Sequence, residues 1–224
     1  MKKYIKYMIK EVKFFNILYR ELLHLITIPF YILNFKKANP RINVETVNKV
    51  VFIAHPDDEI VSMGHFLQST SNVLVICMTN GGNVRRLKEF IASMNTLGAQ
   101  YQIWNFKDAI DFEWNEKKAS KKIRKILSIK KDWNMVISHN IEGDYGHFQH
   151  KQVYKLVRKN YDKDNFYCPV VNKDLFDERN KLLNKESIKK IHMFKENYKS
   201  QLHILNLYEN YFRYEKIEKE RWSI

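Results

Sequence analysis

Four apolar, strand-like runs separated by helical periodicities constrain this chain more than any other feature. They are NKVVFIAH, SNVLVICMTNGG, QYQIWNF and NMVISH. Apolar β-branched stretches of this length, bounded by Gly, Asn and Asp, suit strands buried on both faces. Between the second and third runs, RRLKEFIASMNTLG has apolar residues at spacings of three and four and ends on Gly98, the pattern of a helix with a glycine cap. Residues 115–130 form a second, lysine-rich amphipathic helix. Strands that alternate with helices cannot join as tight hairpins, so they line up in parallel under helices on both faces. The expected fold is therefore α/β: a Rossmann-like, doubly wound, mostly parallel sheet. Its site would lie at the carboxyl ends of the strands. Further on, FYCPVV suits a short strand, and residues 174–222 read as two helices rich in Lys and Tyr.

Every polar cluster of interest follows one of these strands: HPDDE, TNGGN and SHNIEGDYGHFQH. The first sets Asp57, Asp58 and Glu59 side by side, where they repel, just as the chain turns into a helix. His55 and Asp58 are three apart across that turn, which Pro56 stiffens, so both side chains can converge on one point. An imidazole and a carboxylate suit a divalent metal, and mixed N/O ligation suits zinc. Catalytic zinc takes three protein ligands and keeps one position open. The third ligand must come from elsewhere, and GHFQH offers His147 and His150. Asp57, between the two ligands but pointing differently, is placed to take a proton from water, and a dication makes the row of acids tolerable. An HxxD pair alone is more often a helix cap than a metal site. The second histidine cluster, at the end of another strand, separates the two readings.

Composition bounds the partners. The 224 residues, 45% of them hydrophobic, suffice for one substantial core,. The chain reads as a catalytic domain, residues 47–224, preceded by a basic and aromatic segment, residues 1–46. A formal net charge of +14 favours anionic partners,. Lysines spread over the whole length, with no zinc finger or RNA-binding signature, exclude nucleic acid as the expectation. Cys77 and Cys168 lie in apolar runs and read as buried thiols of a reducing, cytoplasmic compartment. Near the N-terminus, the apolar run LLHLITIPFYILNF is about 14 residues long, short of the roughly 20 a membrane-spanning helix needs. Basic residues followed by Phe, Tyr, Ile and Leu suit a helix lying on an anionic membrane surface, at its inner face, through residues 1–35. The competing reading is a helix packed on protein.

AHPDDE after a strand, with a later YGHxxH segment, resembles the PIG-L/LmbE-like family of zinc-dependent N-deacetylases. MTNGG followed by RRLKEFIASMNTLGA, and KIHMFKENYKSQ near the C-terminus, are similar to that family's glycine loop, R-x-x-E helix and late helix. The resemblance spans about residues 49–215. It implies metal ligands at His55, Asp58 and His150, a general base at Asp57, and oxyanion stabilisation by His147 and Tyr145. It implies Zn2+, with another divalent metal as the alternative. Arg86 either reaches the substrate pocket or pairs with Glu89. Asp108 stands where the family often has an acid facing the sugar. Glu59 is expected to buttress the turn, and His139 to support the ligands from behind. His65 reads as a packing or surface residue, and His24, His192 and His203 carry no signal.

The implied reaction removes acetyl from an N-acetylated amino sugar of the N-acetylglucosamine type, such as a lipid- or phosphate-linked precursor of a cell-surface glycan. One departure stands out: Gln149 replaces an acid that could hold His147 protonated. Two rival readings follow, a zinc amidase for other N-acyl groups and a catalytically weak sugar- or membrane-binding member of the fold.

Overall fold

The computed structural model describes residue 33 and residues 36–171, 197–198 and 215–219. The chain divides into two compact units, Met1–Lys37 and Ala38–Ile224. Of the first, only Leu33, Lys36 and Lys37 are described, all exposed. The stretch expected on a membrane surface thus falls almost wholly outside the described residues, as does most of 174–222. Among the described residues no helix is long and apolar enough to cross a membrane. Residues 38–46 belong to the second unit, where Ala38 is buried in the core.

Six strands form one sheet: β1 Lys49–Ile53, β2 Val73–Thr79, β3 Gln100–Phe106, β4 Met135–Ile137, β5 Phe166–Val171 and β6 Glu215–Lys219. Their spatial order is β3-β2-β1-β4-β5-β6. The first five run parallel and β6 lies antiparallel to β5. The chain starts in the middle of the sheet, winds out through β2 to β3, then returns to the other side of β1 for β4 and β5. That is the doubly wound arrangement expected from the sequence. It places a switch point between β1 and β4, where successive connections leave in opposite directions and open a crevice. β6 is a correction, because Glu215–Lys219 lies in the stretch read as helical. EKIEK has little strand preference of its own. The free edge of β5, paired from Val171↔Glu215 to Tyr167↔Lys219, decides its conformation.

The helices are α1 Asp58–Val61, α2 Gly64–Ser69, α3 Val84–Leu97, α4 Glu116–Leu127 and α5 Phe148–Asn160. The two-residue period of the strands sorts side chains between two cores. Val50, Phe52, Leu74 and Ile76 face α4 and α5, which cover them with Ala119, Ile123, Ile126, Val153 and Val157. Val51, Ile53, Val75 and Cys77 face the opposite way, onto Leu67 of α2 and Leu87, Phe90 and Met94 of α3. Each such side chain contributes about 1.5–3 kcal/mol when fully buried, so Phe90→Ala should cost about 3–5 kcal/mol. Asn83 caps α3 by accepting the amides of Arg85 and Arg86, and Gly98, at φ 64°, closes it,. Cys77 and Cys168 are both buried thiols.

Candidate active site

The site hangs from the carboxyl ends of two neighbouring strands, β1 and β4, with Asp108 after β3 at its rim. In the turn after β1, the His55 amide donates to Asp58 Oδ2 at 2.7 Å, and the ring Nδ1 lies 3.3 Å from the same oxygen. Asp57 is left-handed, at φ 105° and ψ −24°, which costs a non-glycine residue about 1–3 kcal/mol. Its surroundings hold it there. The Asp57 amide donates to Glu59 Oε2 at 3.0 Å, and Arg86 Nη2 donates to Asp57 Oδ2 at 3.1 Å and to the Pro56 carbonyl. Glu59, fully buried, accepts from Ser93 Oγ at 2.7 Å and from the Tyr198 hydroxyl. Burial pushes Asp57 up to about 6, although Arg86 pulls the other way. It pushes Glu59 up to about 7, against the hydrogen bonds from Tyr198 and Ser93,.

The loop after β4 doubles back through Gly143, at φ 72°, where a Cβ would sit 2.6 Å from the His147 carbonyl oxygen,. This fold-back brings Asp144 under two histidines. Its Oδ2 accepts from Ser62 Oγ at 2.7 Å, His139 Nδ1 at 2.6 Å and His150 Nδ1 at 3.1 Å. Burial alone would raise its pKa, but the two imidazoles outweigh burial and hold Asp144 well below the usual carboxylate range. His150 Nε2, buried and with no hydrogen-bond partner among the described residues, faces Asp58 Oδ1 at 3.2 Å. Asp58 is held well below its ordinary value: burial opposes this, but the neighbouring imidazoles of His150, His55 and His139 prevail. Both His55 and His150 are raised despite burial, chiefly by Asp58.

These residues fit a divalent cation. Asp58 attracts positive charge to two ring nitrogens that point at it, one of them otherwise orphaned. Separations of 3.2 and 3.3 Å suit donors each about 2.0–2.2 Å from one small ion,. The carboxylate of Asp144 behind His150 supplies the support that metal-ligating imidazoles require. His55, His147 and His150 bring ligand atoms within 4.8 Å of one another, as do Asp58, His139 and His150. Proton placement separates these overlapping sets. His139 Nε2 accepts the Ala54 amide at 3.0 Å, which uses the lone pair a metal would need. Burial lowers the His139 pKa, but Asp144 and Asp58 prevail and raise it to about 9; against that, the Ala54 amide donating to Nε2 needs a lone pair there and places the neutral ring's hydrogen on Nδ1, toward Asp144,. His147 Nδ1 likewise accepts the Gln149 amide at 3.2 Å.

The expected residues assemble at one place. His147 caps α5, its ring 4.8 Å from that of His55 and 4.6 Å from that of His150. Burial, with His150 and His55 nearby, lowers His147 to about 4. The Tyr145 ring stands 6.0 Å from that of His147. Asp108 lies 3.5 Å from His55 Nε2 and accepts from Asn80 at 2.8 Å, with its side chain 46% exposed. Arg86 pairs with Glu89 at 3.3 Å as well as with Asp57. Its guanidinium is occupied within the protein. Sequence reasoning overlooked Asp144 altogether, although an acid between two glycines and within six residues of three histidines was a usable signal. It also misplaced Gln149, whose side chain reaches His55 at 2.6 Å and not the ring of His147.

Residues 50–161 match the model of the PIG-L family, described as GlcNAc-PI de-N-acetylase. The chain belongs to that family. An uncharacterized protein of Acanthamoeba polyphaga mimivirus is 35% identical over 127 residues, 49% of this chain and 56% of that protein; the match thus spans little more than half the relative's length. Among solved structures, a triple mutant of a deacetylase involved in the teicoplanin biosynthetic pathway has 18% identity and a TM-score of 0.57, covering 75% of this chain and 89% of that one. GalB, the 4-carboxy-2-hydroxymuconate hydratase from Pseudomonas putida, has 14% identity and a TM-score of 0.53, covering 75% and 84%. A deacetylase and a hydratase on one scaffold make these likenesses evidence of fold alone.

Proposed function

We propose that this PIG-L family protein is a metal-dependent amide hydrolase that removes acetyl from an N-acetylated amino sugar of the N-acetylglucosamine type, with zinc as the metal. The observation that carries this reading is the orphaned, buried His150 Nε2 facing Asp58, beside a carboxylate, Asp57, raised to about 6. His55, Asp58 and His150 hold the ion. Bound there, it supplies a Lewis acid that polarises an acetyl carbonyl and makes water more acidic.

The remaining steps belong to the chain. Asp57 accepts the proton of the attacking water. A carboxylate with pKa near 6 is ionised at neutral pH yet more basic than an ordinary aspartate,. Arg86 and the amide bond to Glu59 keep it aimed. His147 Nδ1 takes the Gln149 amide, so its hydrogen sits on Nε2,. That N–H stabilises the carbonyl oxygen as negative charge develops, with Tyr145 beside it. Asp57 then returns its proton to the amine nitrogen as the C–N bond breaks, giving acetate and a free amino sugar. Asp108, at the exposed rim, contacts the sugar.

A lipid- or phosphate-bearing substrate is supported by the family's description and by the net charge of +14. In this reading residues 1–35 bring the enzyme to an anionic membrane surface. The test pairs metal analysis with acetate release from an N-acetylglucosamine glycoside and from GlcNAc-phosphatidylinositol, in wild type and Asp57→Ala. One metal per chain, acetate from wild type, and none from a metal-loaded Asp57→Ala are expected. Failure to take up metal after repletion overturns the reading. Metal without acetate from either substrate would overturn the deacetylase assignment and point to another acyl group.

A further inference from the structure

The side chain of Gln149 has two partners in the core of the site, and each has one allowed polarity. Its Nε2 donates to the Lys107 carbonyl oxygen at 2.9 Å. A carbonyl can only accept, so the amide orientation follows: Oε1 must face the other way, toward His55 Nε2 at 2.6 Å,. Oε1 is also only an acceptor, as is Asp108 Oδ1, 3.5 Å from the same ring nitrogen. The hydrogen of the neutral ring therefore sits on Nε2. This leaves the Nδ1 lone pair pointing at Asp58 Oδ2, 3.3 Å away. Gln149 is fully buried, so no water competes for Oε1.

We infer that Gln149 is a positioning residue that fixes the tautomer of His55 and so presents its Nδ1 to the metal. The inference rests on the proposed metal site. It assigns Gln149 a partner on the β1 turn, where the sequence suggested only a lost partner for its neighbour His147. It also ties three strand ends together, because the Lys107 carbonyl that orients the amide follows β3, Gln149 follows β4 and His55 follows β1. The design differs from that at His150. There a carboxylate, Asp144, receives Nδ1–H and frees Nε2; here a neutral amide receives Nε2–H and frees Nδ1. An amide does this without adding another buried negative charge beside Asp58 and Asp57.

The test reads the tautomer and the metal separately. Long-range 15N–1H correlation spectra of histidine-labelled full-length protein, recorded where the ring is neutral, report which nitrogen carries the hydrogen. Wild-type His55 is expected as Nε2–H without Zn2+, and with Zn2+ to keep that hydrogen while Nδ1 shifts as a ligand. Gln149→Leu and Gln149→Met, which lack the acceptor, should populate the other tautomer. They should also weaken Zn2+ binding about 10- to 100-fold in competition with a chelator. A wild-type His55 carrying its hydrogen on Nδ1, or folded variants with unchanged tautomer and unchanged zinc affinity, would overturn the inference. His55→Ala separates the two levels. If it leaves zinc affinity unchanged, the proposed ligand set fails, whereas weakened binding in His55→Ala but wild-type affinity in both Gln149 variants sinks only the role of Gln149.

Discussion

The turn after β1 and the loop after β4 bring acids to the same crevice and treat them in opposite ways. Asp57 and Glu59 meet one guanidinium and a few neutral donors in dry surroundings, and both are pushed up, to about 6 and about 7. Asp144 is just as enclosed, yet two imidazoles and a hydroxyl converge on one of its oxygens and drive it down. Burial is common to all three, so the number and charge of the donors decide the direction. The consequence for chemistry is a division of labour. In the proposed mechanism, the carboxylate that orients rings stays ionised throughout, while the one assigned to take and return a proton is left near neutrality.

Asp57→Asn attacks the β1 side of this contrast and should have the largest effect. A loss of about 10²–10⁴ in kcat is expected with metal content unchanged. Wild-type kcat/KM should fall about tenfold per pH unit below about 6, because protonated Asp57 cannot accept a proton, and level off above,. Any residual activity of Asp57→Asn should lack that acid limb. If the limb persisted, another group would be the base.

His147 tests the donor between the two loops. His147→Phe should cost about 10²–10³ in kcat, and His147→Gln, which restores an N–H, should recover part of it. With His147 lowered to about 4, wild type should show no inflection from this ring between pH 5 and 8. Equal losses in both variants would deny the N–H its role.

On the β4 side, Asp144→Ala strips the acceptor from both histidines. Weakened metal binding by about 10- to 100-fold is expected by chelator competition, along with about 3–5 kcal/mol of stability lost on denaturant unfolding. Unchanged metal affinity would break the comparison, since the depressed acid would then not be serving the ligands.

The smallest effect sharpens it. Removing the guanidinium beside Asp57, in Arg86→Met, should shift the acid limb to higher pH, because Arg86 holds the Asp57 pKa below what burial alone would give. A limb that stays in place would remove Arg86 from the account.

How much could be read from the sequence depended on how local the cause was. The HPDDE turn was legible because a strand, a proline and a helix start fix the spacing of His55 and Asp58 within four residues. The C-terminal end of α3 was equally legible, through Gly98. The strand at Glu215–Lys219 was not, because its conformation comes from the open edge of β5 and not from its own residues. Nor were the distant partners of Asp144 and Gln149, dozens of residues away: Ser62 for the first, His55 and Lys107 for the second.

The sequence by itself determined the alternating strands and helices, the winding that follows from them, and the family to which the chain belongs. It did so because backbone propensity, apolar period and the steric demands of a tight turn act between near neighbours. Only the tertiary structure decided which nitrogen of each histidine faces Asp58, which acids are raised and which lowered, and what Gln149 does. Those outcomes depend on which donors and acceptors meet in a water-poor crevice where β1 and β4 end side by side, and a pairing made across the sheet leaves no period in the chain that makes it.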